Sequence, residues 1–150
     1  VSEPRVVQKA FAYVTRGREV LVLLQPDFPE VGLQVPAGTV EPGESPERAV
    51  LREAHEETGL GPFSAGEFLG QREFDARLYG KPEIHERHFY HLVASGSPPS
   101  RLRHFERHSG GNRPVAFDLF WLPIEQAAAR LSYEHGALLG VLAERLTRQL

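Results

Sequence analysis

The run Val20-Leu21-Val22-Leu23-Leu24 constrains the fold more than any other stretch of the chain. It is apolar at every position, so it cannot form a strand with one wet face. It reads as a buried central strand, covered on both sides. Residues 8–25, "QKAFAYVTRGREVLVLLQ", form two strands around a tight turn at Arg16-Gly17-Arg18. Further strands are expected at about 66–75, 84–94 and 115–122. Residues 26–44 are a loop punctuated by proline and glycine, with one short strand at Leu33 to Val35. "IEQAAARL" and "YEHGALLGVLAERLTRQL" close the chain as helices. Strands before, between and after helices predict an α+β fold, a mixed sheet with helices on both sides, in a single domain over 1–150. A polar connector at 95–113 is too long to be structureless without a functional reason.

One helix is marked at both ends. Ser45 suits the N-cap, Pro46 the first helical position and Gly59 the left-handed residue past the end, so the helix spans Pro46 to Thr58. Its polar side is costly. Glu53, Glu56 and Glu57 fall within an arc of about 100°. Like charges at these spacings repel by roughly 0.2–0.5 kcal/mol per pair, and the helix C-terminus already disfavours anions. Arg52, one turn from Glu56, relieves part of the strain. A solvated acidic face is the ordinary outcome for such a run. A divalent cation would convert the strain into a binding site.

The surroundings favour the cation. Residues 38–60 read "GTVEPGESPERAVLREAHEETGL". Gly38, Glu44, Arg52, Glu53, Glu56, Glu57 and Gly59 stand at the spacing of the Nudix box, and Ala54 and Leu60 fill its apolar positions. Chance agreement at all seven fixed positions is on the order of 10⁻⁹ per starting point. The chain resembles the Nudix hydrolases. The resemblance implies a Nudix-type α/β/α sandwich and hydrolysis of a nucleoside diphosphate derivative by water attack on phosphorus, with Mg²⁺ or Mn²⁺. It implies Glu56, Glu57 and the Gly38 carbonyl as metal ligands, Glu53 as ligand or general base, and Arg52 as the residue that orients the glutamates. Glu44 and Gly59 are expected to be structural.

Outside the box the signals thin. The family's ADP-ribose members often carry a proline fifteen residues after the box, where this chain has Asp75. Members acting on dinucleoside polyphosphates often carry a tyrosine at sixteen to eighteen; Tyr79 stands at nineteen. The extended markers of coenzyme A and NADH pyrophosphatases are not visible. A nucleotide sugar or similar compound is expected first, nucleoside triphosphates second and dinucleoside polyphosphates third. A sensor of nucleotide metabolites is the rival of another class. Glu106 is the expected extra acid, with Glu86 and Asp118 as competitors. Phe89, Tyr90, Phe105 and Trp121 are candidates for base stacking, and Arg72, Arg77, Arg87, Arg101, Arg103 and Arg107 for a distal phosphate or sugar. His85, His88 and His91 fit no zinc motif, because a strand turns His88 away from the other two.

Composition excludes other chemistries. There is no cysteine, hence no thiolate nucleophile, disulfide or Cys-ligated metal. A net charge of −3 gives no general attraction to nucleic acid or anionic membrane. No apolar run is long enough to span a bilayer and no signal-peptide pattern opens the chain, so the expectation is a cytoplasmic monomer or homodimer.

Overall fold

The apolar strands take the centre of a seven-stranded mixed sheet in the computed structural model, which describes residues 3–64, 66–107 and 113–149. The elements are β1 (Arg5–Arg16), β2 (Glu19–Leu24), β3 (Ala37–Thr39), α1 (Pro46–Thr58), β4 (Glu67–Asp75), β5 (Glu83–Val93), β6 (Arg101–Glu106), β7 (Val115–Pro123), α2 (Ile124–Arg130) and α3 (Leu139–Arg148). The order across the sheet is β4-β5-β1-β2-β7-β6, with β3 added alongside β1. β1 and β5 run parallel from Arg5↔Glu83 to Thr15↔Val93. The other pairs are antiparallel. The α+β expectation holds.

Strand alternation explains the continuous apolar run. Phe11, Tyr13, Val20 and Val22 face a layer that holds Ile124 and Ala127 of α2 and Leu139 and Leu142 of α3. Ala10, Ala12, Val14, Leu21 and Leu23 face the other layer, with Ala49, Val50 and Ala54 of α1. Truncating a fully buried residue such as Leu21 to alanine costs about 2–5 kcal/mol. Ala54 is small for its motif position, but it is fully buried in a layer with Ala10 and Ala12. Short side chains there let the helix lie close on the sheet, so α1 is firmly seated.

β1 and β2 pair only at Thr15↔Val20 and Arg16↔Glu19. Beyond that they splay, and β3 joins the first half of β1 through Lys9↔Thr39, Ala10↔Gly38 and Phe11↔Ala37. The strand expected at Leu33 to Val35 is therefore displaced. Leu33 and Gln34 make isolated bridges, to Leu131 and Leu23. The Val35 amide donates to His135 Nδ1 at 3.1 Å instead of to a strand, and Pro36 has no N–H to extend a ladder.

Two further expectations are corrected. The connector at 95–113 contains β6, paired with β7 from Arg101↔Phe120 to Glu106↔Val115. Leu102, His104 and Glu106 are half-buried and alternate with exposed Arg101, Arg103 and Phe105. Polar residues on both faces hide that periodicity. The last helix starts at Leu139 rather than Tyr133, because Tyr133 and Glu134 adopt φ 51° and 60°. Among the described residues no helix is long and apolar enough to cross a membrane.

Candidate active site

α1 is held at both ends as its sequence requires. Ser45 Oγ accepts from the Arg48 amide at 3.2 Å. Gly59 takes φ 72° and donates its N–H to the His55 carbonyl at 2.9 Å. Gly59 also leaves space for a neighbour, since a Cβ there would stand 2.7 Å from His104 Nδ1. His104 Nε2 lies 2.8 Å from the Glu56 carbonyl oxygen and donates to it. β6 is thus tied to the last turn of α1, a contact that no local sequence signal announces.

Arg52 is the hub of the acidic face. It binds Glu44 with two N–H groups, Nε to Oε2 and Nη2 to Oε1, both at 2.9 Å. Its Nη1 donates to Glu53 at 2.8 Å and to Glu56 at 3.4 Å, and Nη2 also reaches the Thr39 carbonyl at 3.1 Å. Glu44 in turn accepts the Glu41 amide at 3.0 Å, and the Arg52 guanidinium holds its carboxyl down at about 2. Glu44 therefore fixes the loop and is turned toward Arg52.

The other acids converge. A Cβ at Gly38 would lie 2.0 Å from Glu53 Cδ, so the Glu53 carboxylate rests on a surface that only glycine leaves open. Burial raises the Glu53 carboxyl, against the pull of Arg52. Glu57 accepts the Ala37 amide at 2.7 Å, and burial pushes its carboxyl well up despite that bond. Glu106, at the end of β6, joins Glu53 and Glu56: one ligand atom from each lies within 4.8 Å of the other two. Glu57 stands beside this group, its Oε1 occupied by β3.

The donor set suits a hard cation. Carboxylate oxygens, with room for water and phosphate, are what Mg²⁺ and Mn²⁺ prefer, and opposite ligands of an octahedral Mg²⁺ stand about 4.2 Å apart. The Gly38 cradle and the converging acids fit such an ion. A cleft of about 510 Å³ opens over Glu53, Glu56, Glu57 and Glu106, and a second of about 350 Å³ adjoins it. Both are lined by Lys9, Ala37, Gly38 and Glu57.

The competitors for the extra acid are engaged elsewhere. Glu86 accepts from Gln8 at 2.9 Å, and Asp118 pairs with Arg103 at 2.7 Å. The histidines are dispersed through the sheet: His85 bonds to Glu83, His88 to Gln8 and His91 to Thr15. Phe89, Tyr90 and Trp121 are core residues and Phe105 is exposed on the sheet edge. The 350 Å³ cleft is lined instead by Phe11, Phe74 and Tyr133, which sequence patterning did not single out, and by Tyr79, noted there only for its distance from the box. Of the six arginines named from sequence, Arg87 and Arg107 line a cleft. Arg77 is paired with Asp75 and Arg103 with Asp118.

Comparison with known proteins agrees with this geometry. Residues 5–139 match the model of the NUDIX domain. A curated relative, the NAD-capped RNA hydrolase NudC of Stutzerimonas stutzeri (strain A1501), is 44% identical over 57 residues, 38% of this chain and 21% of that protein. The chain thus matches about a fifth of the length of that relative. Among solved structures, the E. coli ORF135 protein superposes with a TM-score of 0.66 at 23% identity, covering 97% of this chain and 94% of that one. A NUDIX hydrolase from Nitrosomonas europaea gives a TM-score of 0.66 at 21% identity, covering 95% and 90%. With the family model matching residues 5–139 and the fold shared, the protein belongs to the NUDIX domain family.

Proposed function

We propose that the chain hydrolyses a phosphoanhydride in a nucleoside diphosphate derivative, such as a nucleotide sugar, and releases a nucleoside monophosphate, with residues 1–150 acting as one domain. The observation that carries this is the convergence of Glu53, Glu56 and Glu106 within 4.8 Å on one side of a cleft. Glu53, Glu56, Glu57 and Glu106, with the Gly38 carbonyl, would hold Mg²⁺ or Mn²⁺, which when bound neutralises phosphate charge and acidifies water. Arg52 keeps Glu53 and Glu56 aimed together through its bonds at 2.8 and 3.4 Å. Glu53, whose carboxylate rests against Gly38 and is aimed by Arg52, is the group proposed to take the proton from the attacking water. Lys9, common to both clefts, is suited to meet oxygens of the leaving phosphate.

Nucleoside triphosphates and dinucleoside polyphosphates share the required anhydride and rank next. The similarity to an NAD-capped RNA hydrolase adds an RNA 5′ cap as a further candidate. The net charge of −3 supports a small nucleotide over nucleic acid. The test is a panel of all four substrate classes, with Mg²⁺, Mn²⁺, Ca²⁺ or chelator, scored by chromatography for monophosphate, pyrophosphate and phosphate. Monophosphate release with Mg²⁺ or Mn²⁺, poor with Ca²⁺ and absent with chelator, is expected. Tight binding of an anhydride with no cleavage under any condition would replace the hydrolase by the nucleotide sensor.

A further inference from the structure

The 350 Å³ cleft beside the carboxylates contains a cation that anhydride cleavage does not use. Arg87 of β5 is 4% exposed. Its guanidinium lies between two rings, 4.6 Å from the centroid of Phe11 and 3.7 Å from that of Phe74. Nη1 donates to the Tyr133 carbonyl at 2.6 Å, while the buried Nε–H has no partner. Among the described residues no carboxylate pairs with it; Glu134 acts on it through space. Burial draws the guanidinium down to about 10.

Two more cations line the same cleft, Lys9 and Lys81. Lys9 is lowered first by burial and next by Lys81. Glu57 is the acid on the cleft wall, and it lies on the side shared with the carboxylate cleft. A spacer between two phenyl rings needs no charge, and an apolar side chain of similar volume would fill it without desolvating a guanidinium. The tether also ends on left-handed backbone. Tyr133 and Glu134 hold φ 51° and 60° without being glycine. The Tyr133 ring meets Tyr79 edge-on at 4.9 Å, and both line the cleft.

We propose that this cleft is an oxyanion subsite, in which Arg87 and Lys81, with Lys9 at the boundary shared with the carboxylate cleft, read a second anionic group of the substrate, a phosphate monoester or a carboxylate remote from the scissile anhydride. The proposal rests on the hydrolase function above and narrows its substrate to nucleotide derivatives that carry that extra charge. An oxyanion entering the cleft supplies the counter-charge that the fold omits, and charge-assisted hydrogen bonds to a guanidinium are among the strong ones.

The test compares matched pairs: UDP-glucose with UDP-glucuronate for a carboxylate, and NADH with NADPH for a phosphate. Both kcat/KM and calorimetric Kd are measured on the wild type, Arg87→Met, Arg87→Lys and Lys81→Met. At least tenfold preference for the charged member of one pair is expected in the wild type. Lys81→Met, at an exposed position, should lower that ratio, Arg87→Met should bring it near one, and Arg87→Lys should restore part of it. The pair that shows the preference identifies the anion. Wild-type ratios near one in both pairs, or ratios indifferent to Lys81→Met and Arg87→Met, overturn the subsite while leaving any turnover as support for the hydrolase. If nothing is cleaved, the hydrolase fails, and the Kd ratios still decide the subsite. Absence of binding by all four compounds, with turnover of another anhydride, overturns the subsite alone.

Discussion

Glu57→Gln should make the cation-free protein more stable and the loaded enzyme nearly inactive. In the wild type the Glu57 carboxylate accepts the Ala37 amide at 2.7 Å, and burial raises its pKa. Glutamine keeps an oxygen for that bond and drops the charge. What disappears, besides the desolvation of the ionised carboxylate, is one like-charge pair with Glu53 at i,i+4, about 0.2–0.5 kcal/mol, and an anion in the last turn of α1, about 0.3–1 kcal/mol. The gain is roughly 0.5–1.5 kcal/mol, or about 1–6 °C in Tm for a domain of this size. Saturating Mg²⁺ should invert the order. Binding at a hundredfold excess over Kd stabilises the native state by about 2.7 kcal/mol, and the variant forgoes much of this. Its kcat should fall about 10²–10³-fold, since several kcal/mol of charge stabilisation is removed. Thermal melts in chelator and in Mg²⁺, paired with turnover of the best substrate in the panel, read all three quantities. A variant less stable than wild type in chelator, or one with near-normal turnover in Mg²⁺, refutes the claim that these glutamates are strained for the sake of a cation.

Gly38→Ala places a methyl where Glu53 Cδ stands 2.0 Å from the ideal Cβ position. It should lower kcat about tenfold to a hundredfold by displacing that carboxylate, with Tm within a few degrees of wild type; unchanged kcat would refute the cradle. His135 is held neutral by burial, down to about 3 from 6.5, and accepts the Val35 amide at 3.1 Å. Below pH 6.5 the unfolded chain takes up the proton first, so stability is present above that pH and is lost as pH falls toward 3, roughly 2 kcal/mol by pH 5. His135→Asn keeps an acceptor and should flatten this slope in urea melts from pH 7 to 5; an unchanged slope assigns the acid loss to other groups.

Much of the fold was legible because its signals are local. Ser45, Pro46 and Gly59 delimit α1 to the residue, since each acts on its own backbone. The apolar run at 20–24 required two covering layers, and the two layers are present. The misplaced strand has the opposite character. Whether Leu33–Val35 or Ala37–Thr39 pairs is decided by His135, a hundred residues away, which captures the Val35 amide. β6 was hidden because an edge strand with one face on α1 and one in solvent need not alternate apolar with polar residues. The late start of α3 follows from left-handed backbone at Tyr133 and Glu134, and the Tyr133 carbonyl accepts from Arg87.

The same division runs through the site. Two of the converging acids, Glu53 and Glu56, and Glu57 beside them belong to one helix, so a 3.6-residue period brings them together, and a contiguous motif records them. Glu106 lies fifty residues on and reaches that helix through sheet register. β6 must pair with β7 from Arg101↔Phe120 to Glu106↔Val115, and His104 must bond the Glu56 carbonyl. A one-residue slip of β6 would turn Glu106 away from α1. His104 is thus a register pin for the one acid that the helix cannot supply. His104→Ala should accordingly lower kcat more than Tm, and Glu106→Gln made in that background should cost less than Glu106→Gln alone. Additive losses in such a double-mutant cycle would break the link between the pin and the acid.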